Sequence, residues 1–127
     1  MPNTTAQTVA EYFAALRAMD VDRFVNAFAP DAVSHDPVGT PAHHGHDAIR
    51  AFFTGVASLF ETFGLTENHV FIIGNSAAVK WTGNGIGRNG KTITFEGIDV
   101  LEVNPEGKIS EVHAYSDPAP VMASLQS

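Results

Sequence analysis

Lys91-Thr-Ile-Thr-Phe-Glu-Gly-Ile-Asp-Val-Leu-Glu-Val103 reads with a period of two. Its odd positions are Ile93, Phe95, Gly97, Asp99, Leu101 and Val103, the pattern of a strand with one face turned to a core. Five of these are apolar or glycine, and the sixth is a carboxylic acid. An ionised carboxylate buried without a partner is costly, so Asp99 is expected to raise its pKa and sit neutral. A neutral acid in an apolar cavity has an O–H to donate, which is a means of stabilising an oxyanion.

Further strands surround this one. Residues 69–73, 77–82 and 107–115 read as strands; in the second, Ala77, Val79 and Trp81 alternate against Lys80 and Thr82. Asn104-Pro-Glu-Gly107 marks the turn before the last. Gly85-Ile-Gly-Arg-Asn-Gly90 matches G-x-G-x-x-G, but a dinucleotide loop needs a helix after it. Here strands flank both sides and Asn89-Gly90 is a hairpin signal, so the stretch reads as a turn. Residues 117–127, with prolines at 118 and 120, are expected to wrap around the domain without adding an element.

The first half reads as helices. Thr4 or Thr5 caps a helix reaching about Met19, on which Val9, Tyr12, Phe13 and Leu16 share one buried stripe. Tyr12 therefore faces inward, and its hydroxyl needs either a backbone carbonyl or a ligand. Asp20 caps a second helix over 21–29, with Phe24, Val25 and Phe28 facing in, and residues 32–35 form a short strand. Asp36 precedes Pro37, which holds it extended, and apolar Pro37 and Val38 lie beside its carboxylate. It reads as a turn former or as a carboxylate set deliberately against apolar surface. A third helix over 47–60 presents Ile49, Phe52, Phe53, Val56, Leu59 and Phe60. The three histidines His43, His44 and His46 read as a surface loop entering it, not a metal site, since no second ligand cluster appears. His35, His69 and His113 are read as scattered singly.

The composition narrows the function. In 127 residues, seven Lys+Arg stand against fourteen Asp+Glu, a net charge of −7 without a basic cluster, which disfavours nucleic acid and anionic membrane as partners. Zero cysteines exclude disulfides, thiol catalysis and cysteine-based zinc. No apolar run approaches the roughly 18 residues of a membrane helix, and the stretch from Met1 lacks a signal-peptide pattern. A single cytoplasmic domain over 1–127 is expected. Helices followed by antiparallel strands predict an α+β fold, a curved, mostly antiparallel sheet packed on three N-terminal helices around one apolar pocket. Tyr12, Asp36 and Asp99 then project from three elements into a pocket lined by Phe52, Phe53, Trp81, Val38, Phe95 and Leu101, suited to a flat apolar ligand.

Four segments carry a family resemblance along nearly the whole chain. Glu11-Tyr-Phe-Ala-Ala-Leu16, His35-Asp-Pro-Val-Gly39, Gly45-His-Asp-Ala-Ile-Arg-Ala-Phe-Phe53, and Ile98-Asp-Val100 with Asn104-Pro-Glu-Gly-Lys108 resemble, in order, segments of the steroid Δ5-3-ketoisomerases, of the cone-shaped NTF2-like (SnoaL-like) superfamily. That resemblance implies a steroid delta-isomerase in which Asp36 is the base and Tyr12 and Asp99 are oxyanion donors. It also implies a flat apolar carbonyl substrate such as a steroid, no metal or organic cofactor, and a homodimer.

Two departures stand out. Phe28 and Phe53 occupy places where some members carry tyrosines, and Ser116 stands where some have tryptophan. Rival readings within the fold are a polyketide cyclase using Asp36 on another carbonyl substrate and a carrier of hydrophobic ligands. An epoxide hydrolase of this fold needs an arginine between two carboxylates inside the cavity, and Arg17, Arg23, Arg50 and Arg88 all fall on expected helix surfaces or a turn.

Overall fold

The computed structural model describes residues 4–126. Residues 1–3, from which the signal-peptide reading starts, and residue 127 lie outside the described residues. The order is α1 (Thr4–Ala18), α2 (Val21–Asn26), β1 (Phe28–His35), β2 (His43–His44), α3 (Gly45–Ala57), β3 (Phe60–Ile73), β4 (Ser76–Gly87), β5 (Thr92–Val103), β6 (Ile109–Tyr115) and α4 (Ala119–Gln126). One curved six-stranded sheet runs β2-β1-β6-β5-β4-β3, antiparallel throughout except for the parallel β1–β6 pair. This is the α+β, NTF2-like cone that the sequence predicts. Among the described residues no helix is long and apolar enough to cross a membrane.

The alternation of β5 is realised in burial. Ile93, Asp99, Leu101 and Val103 are buried, Phe95 and Gly97 partly so, and Thr94, Glu96 and Ile98 are exposed. Across the cone, α1 buries Val9, Tyr12, Phe13 and Leu16 together. Asp20 caps α2 by accepting from the Arg23 N–H at 3.2 Å.

Several boundaries differ from expectation, most of them where a sheet partner overrides local pattern. The second helix stops at Asn26, and Phe28 is a strand residue paired with Ile109, whose N–H donates to the Ala27 carbonyl at 2.9 Å. Pro30 is accommodated where the β1–β6 register shifts. The third helix starts at Gly45 and ends at Ala57, and Phe60 opens β3. That strand runs through Gly64, a position where a side chain would crowd Arg17 of α1, with Cγ 3.0 Å from an added Cβ. Gly85 and Gly87 belong to β4, so only the Arg88–Gly90 end of the G-x-G-x-x-G match turns. His43 and His44 form β2 against Val33 and Ser34 instead of a free loop. The tail forms α4, because prolines in a first helical turn need no amide partner and Asp117 caps that turn by accepting from the Ala119 N–H at 3.0 Å.

Gly97 shows how tightly the inner layer is built. A Cβ there would lie 2.4 Å from Trp81 Cζ2 and 2.7 Å from the Tyr115 carbonyl oxygen. Gly97→Ala must push the indole aside or bend β5, so it is expected to cost about 1–3 kcal/mol of unfolding free energy in chemical denaturation.

Candidate active site

Asp99, 1% exposed, is buried on the inner face of β5. Its register partner on β4 is Val79, and Trp81 pairs with Gly97. Because Gly97 has no side chain, the indole crosses that position, and its Nε1–H donates to Asp99 Oδ1 at 2.9 Å. From α1, the Tyr12 hydroxyl donates to Asp99 Oδ2 at 3.2 Å. The phenol is 2% exposed and packs against Phe13, Phe24 and Phe28, with ring centroids 5.0, 5.2 and 6.0 Å away. Burial raises the Asp99 carboxyl to about 6, while the Trp81 and Tyr12 hydrogen bonds pull the other way by favouring its ionised form. Burial, and then the negative charges of Asp99 and Asp36, push the Tyr12 phenol well above its ordinary value, so it stays a donor.

Asp36 follows the last residue of β1 and approaches from the other side. The Val38 N–H donates to the Ala114 carbonyl at 2.8 Å, tying the chain beyond it to β6, and the Asp36–Pro37 peptide is cis. Burial and then the charge of Asp99 raise Asp36 to about 7. Two carboxyls and one phenol thus share a single cavity of about 200 Å³.

Of the side chains read as lining this cavity, Phe52, Phe53, Trp81 and Phe95 do so. Two expectations are corrected. Leu101 is 0% exposed in the core below the cavity, one step beyond Asp99 along the inner face of β5. Val38 is 40% exposed, because its backbone bond to Ala114 leaves the side chain outside. Sequence reasoning missed the indole bond to Asp99, although Trp81 and Asp99 were both read as inward on strands. It also missed the mouth, formed by Ser116, Asp117, Pro118 and the α4 residues Val121, Met122 and Leu125. The spacing of Val121 and Leu125 after a capping aspartate was the available signal.

The remaining candidates lie elsewhere. His43 stacks on Phe52 at 4.4 Å, with Nε2 3.4 Å from the Asp36 carbonyl, and the His46 Nε2–H donates to the Phe28 carbonyl at 2.8 Å. These histidines tie strand β1 to α3. His35 and His113 are not scattered but stack at 4.3 Å beside Glu111, whereas His69 packs on Phe71. Arg17, Arg23 and Arg50 pair with Glu67, Glu11 and Asp22, and Arg88 donates to the Ser58 carbonyl. None of the four lines the cavity.

The fold and this cavity define a small α+β cone with paired carboxyls in an apolar pocket. Residues 9–112 match the model of the SnoaL-like domain, and the chain belongs to that family. Among solved structures it is similar to the epoxide hydrolase/cyclase-like enzyme SalBIII, described for pyran ring formation in the polyether salinomycin, at 27% identity over 91% of this chain and 92% of that one, TM-score 0.81. It shares its fold with an NTF2-like protein of unknown function from Burkholderia pseudomallei, at 23% identity, 98% coverage of both chains and TM-score 0.84. TerC co-crystallised with polyporic acid has the same fold at 16% identity, covering 98% of this chain and 99% of that one, TM-score 0.83.

Trp81→Phe tests the buried carboxyl. Asp99 titrates above its unfolded value, so the folded state holds the extra proton and stability falls as pH rises from about 4 to about 6. Losing the indole donor raises the folded pKa further and extends that fall to higher pH. The variant should lose about 1.5–3 kcal/mol at about pH 8 and clearly less at about pH 5, measured by denaturant unfolding at both.

Proposed function

We propose that the protein is a proton-transfer enzyme acting on a flat, apolar carbonyl compound, and specifically a steroid delta-isomerase. The observation that supports this most is the pairing of Asp36, raised to about 7, with a tyrosine–aspartate pair across one apolar cavity. A general base poised near neutral pH combines a useful ionised fraction with enough basicity to take a carbon-bound proton.

The reaction divides among three side chains. The 3-keto oxygen of a Δ5-3-ketosteroid displaces the Tyr12–Asp99 contact and accepts from the Tyr12 hydroxyl and from protonated Asp99. Trp81 keeps Asp99 Oδ1 an acceptor, which leaves the proton on Oδ2, the oxygen beside Tyr12. Asp36 removes a proton from C4, giving a dienolate whose oxygen charge the two donors stabilise. Protonated Asp36 returns the proton to C6, the double bond moves into conjugation, and the enzyme is regenerated. These steps use only the three side chains and the indole that orients one of them.

The cavity lies below the roughly 300–1,000 Å³ of pockets that enclose a drug-sized ligand. A four-ring substrate therefore has its keto end inside and its far end in the mouth beside Met122. We also propose a homodimer through the outer sheet face, where Phe71, Ile73, Ile98 and Tyr115 are exposed.

A ring-closing reaction is the second reading. In the free protein Asp99 accepts both of its hydrogen bonds, as an ionised base would, while Asp36 has the higher pKa and suits an acid. Asp99 would take the proton of a substrate hydroxyl as its oxygen bonds to an epoxide carbon, while Asp36 protonates the epoxide oxygen as its bond to that carbon breaks. The likeness to an epoxide hydrolase/cyclase-like enzyme supports this assignment, and the lack of a cavity arginine disfavours hydrolysis.

Absorbance of the conjugated enone, followed after mixing with a Δ5-3-ketosteroid, separates the readings. Isomerisation should be fast in the native protein, fall by about 10²–10³ in Tyr12→Phe, and be lost in Asp36→Asn. Its pH profile should be bell-shaped with limbs near 6 and 7, with only a minor fraction of the protein productive between them, because Asp36, the weaker acid, must be ionised while Asp99 keeps its proton. Absence of turnover by folded native protein would overturn the isomerase and favour ring closure.

A further inference from the structure

Outside the cavity, one group of side chains is used by neither the core nor the proposed reaction. His35 on β1 and His113 on β6 are register partners, and Glu111 lies two residues before His113. Their inward neighbours Ser34 and Val112 are buried, so strand alternation puts all three on the outer face of the sheet. The imidazoles stack with centroids 4.3 Å apart and planes inclined by 13°, and His35 Nε2 stands 3.5 Å from Glu111 Oε2. One ligand atom from each of the three lies within 4.8 Å of the others.

We propose that His35, Glu111 and His113 form a binding site for a divalent transition-metal ion of the zinc type. Two imidazole nitrogens and one carboxylate oxygen are a donor set for zinc, cobalt or nickel, with the remaining positions left to water. Around a tetrahedral ion, ligand atoms about 2.0–2.1 Å from the metal stand roughly 3.4 Å from one another. The His35 and Glu111 atoms are already at that spacing. The cluster closes through side-chain rotation, which partial exposure permits: the His35 and Glu111 side chains are 31% and 43% exposed.

The surroundings add a second reason. Glu102 is the register partner of Glu111 across β5–β6, and its carboxylate is held by the Ser76 hydroxyl. Like charges directly opposite one another destabilise a sheet, and a bound cation removes that repulsion. Val33 and Val100, the partners of Glu111 and His113, give the site apolar shoulders. A His35–Glu111 ion pair alone leaves the stacked His113 without a role. The site sits on the strand that leads to Asp36, so an ion there would brace the chain segment carrying that carboxyl.

The test is calorimetric titration of untagged, chelator-stripped protein with zinc, repeated with cobalt while visible absorbance is followed. The result expected is one ion per chain. Affinity should drop by more than about 10-fold in both His113→Ala and Glu111→Gln and stay unchanged in His44→Ala, with circular dichroism confirming that each variant folds. The proposal is overturned if millimolar zinc gives no saturable binding, if His113→Ala binds as well as the native protein, or if His44→Ala abolishes binding.

Discussion

A carboxyl group held between an indole and a phenol organises this protein. Asp99 is buried on the inner face of β5, where an ionised acid without partners would be costly. Trp81 and Tyr12 each occupy one of its oxygens, and satisfying both demands much of the fold. Gly97 must lack a side chain so that the indole can cross β5, and α1 must present its apolar stripe at the level of Asp99. The phenylalanines of α2 and β1 must hold the phenol ring in place. Each requirement is local, and together they fix how the helices sit on the sheet.

The second consequence is electrostatic. Asp36 faces the same cavity, so two carboxyls share a medium in which both ionise only with difficulty. Their environments separate them: Asp99 has two donors, whereas Asp36 has burial and a like charge against it. In the proposed reactions that separation is what divides the acid role from the base role. The scaffold around them is shared with an enzyme described for pyran ring formation and with a protein co-crystallised with polyporic acid, so the fold alone does not set the chemistry.

Much of this was legible in the sequence because it follows from periodicity. The β5 alternation placed Asp99 on the inner face, and the α1 stripe did the same for Tyr12. What local pattern could not show was pairing between distant segments. Phe28 looks helical beside Phe24 and Val25, but β6 draws it into the sheet. The Gly83–Gly85–Gly87 run resembles a breaker, yet these glycines admit Phe95, Phe60 and Leu125 from neighbouring elements. Leu101 shares a face with Asp99 but lies deeper in the cone, since alternation reports the side of a sheet and not depth along it. The stacking of His35 on His113 follows from a parallel register joining residues far apart in the chain, which no short motif encodes.

The most direct measurement is a carbon-13 NMR titration of the aspartate side-chain carboxyls, with Asp36 and Asp99 assigned through their asparagine variants. The geometry described here predicts two carboxyls titrating near 7 and near 6, coupled so that replacing Asp99 lowers the value of Asp36. Two independent titrations close to the ordinary aspartate value of about 3.9 would contradict it. The cavity would then hold two ordinary carboxylates, and neither an acid nor a base matched to neutral pH.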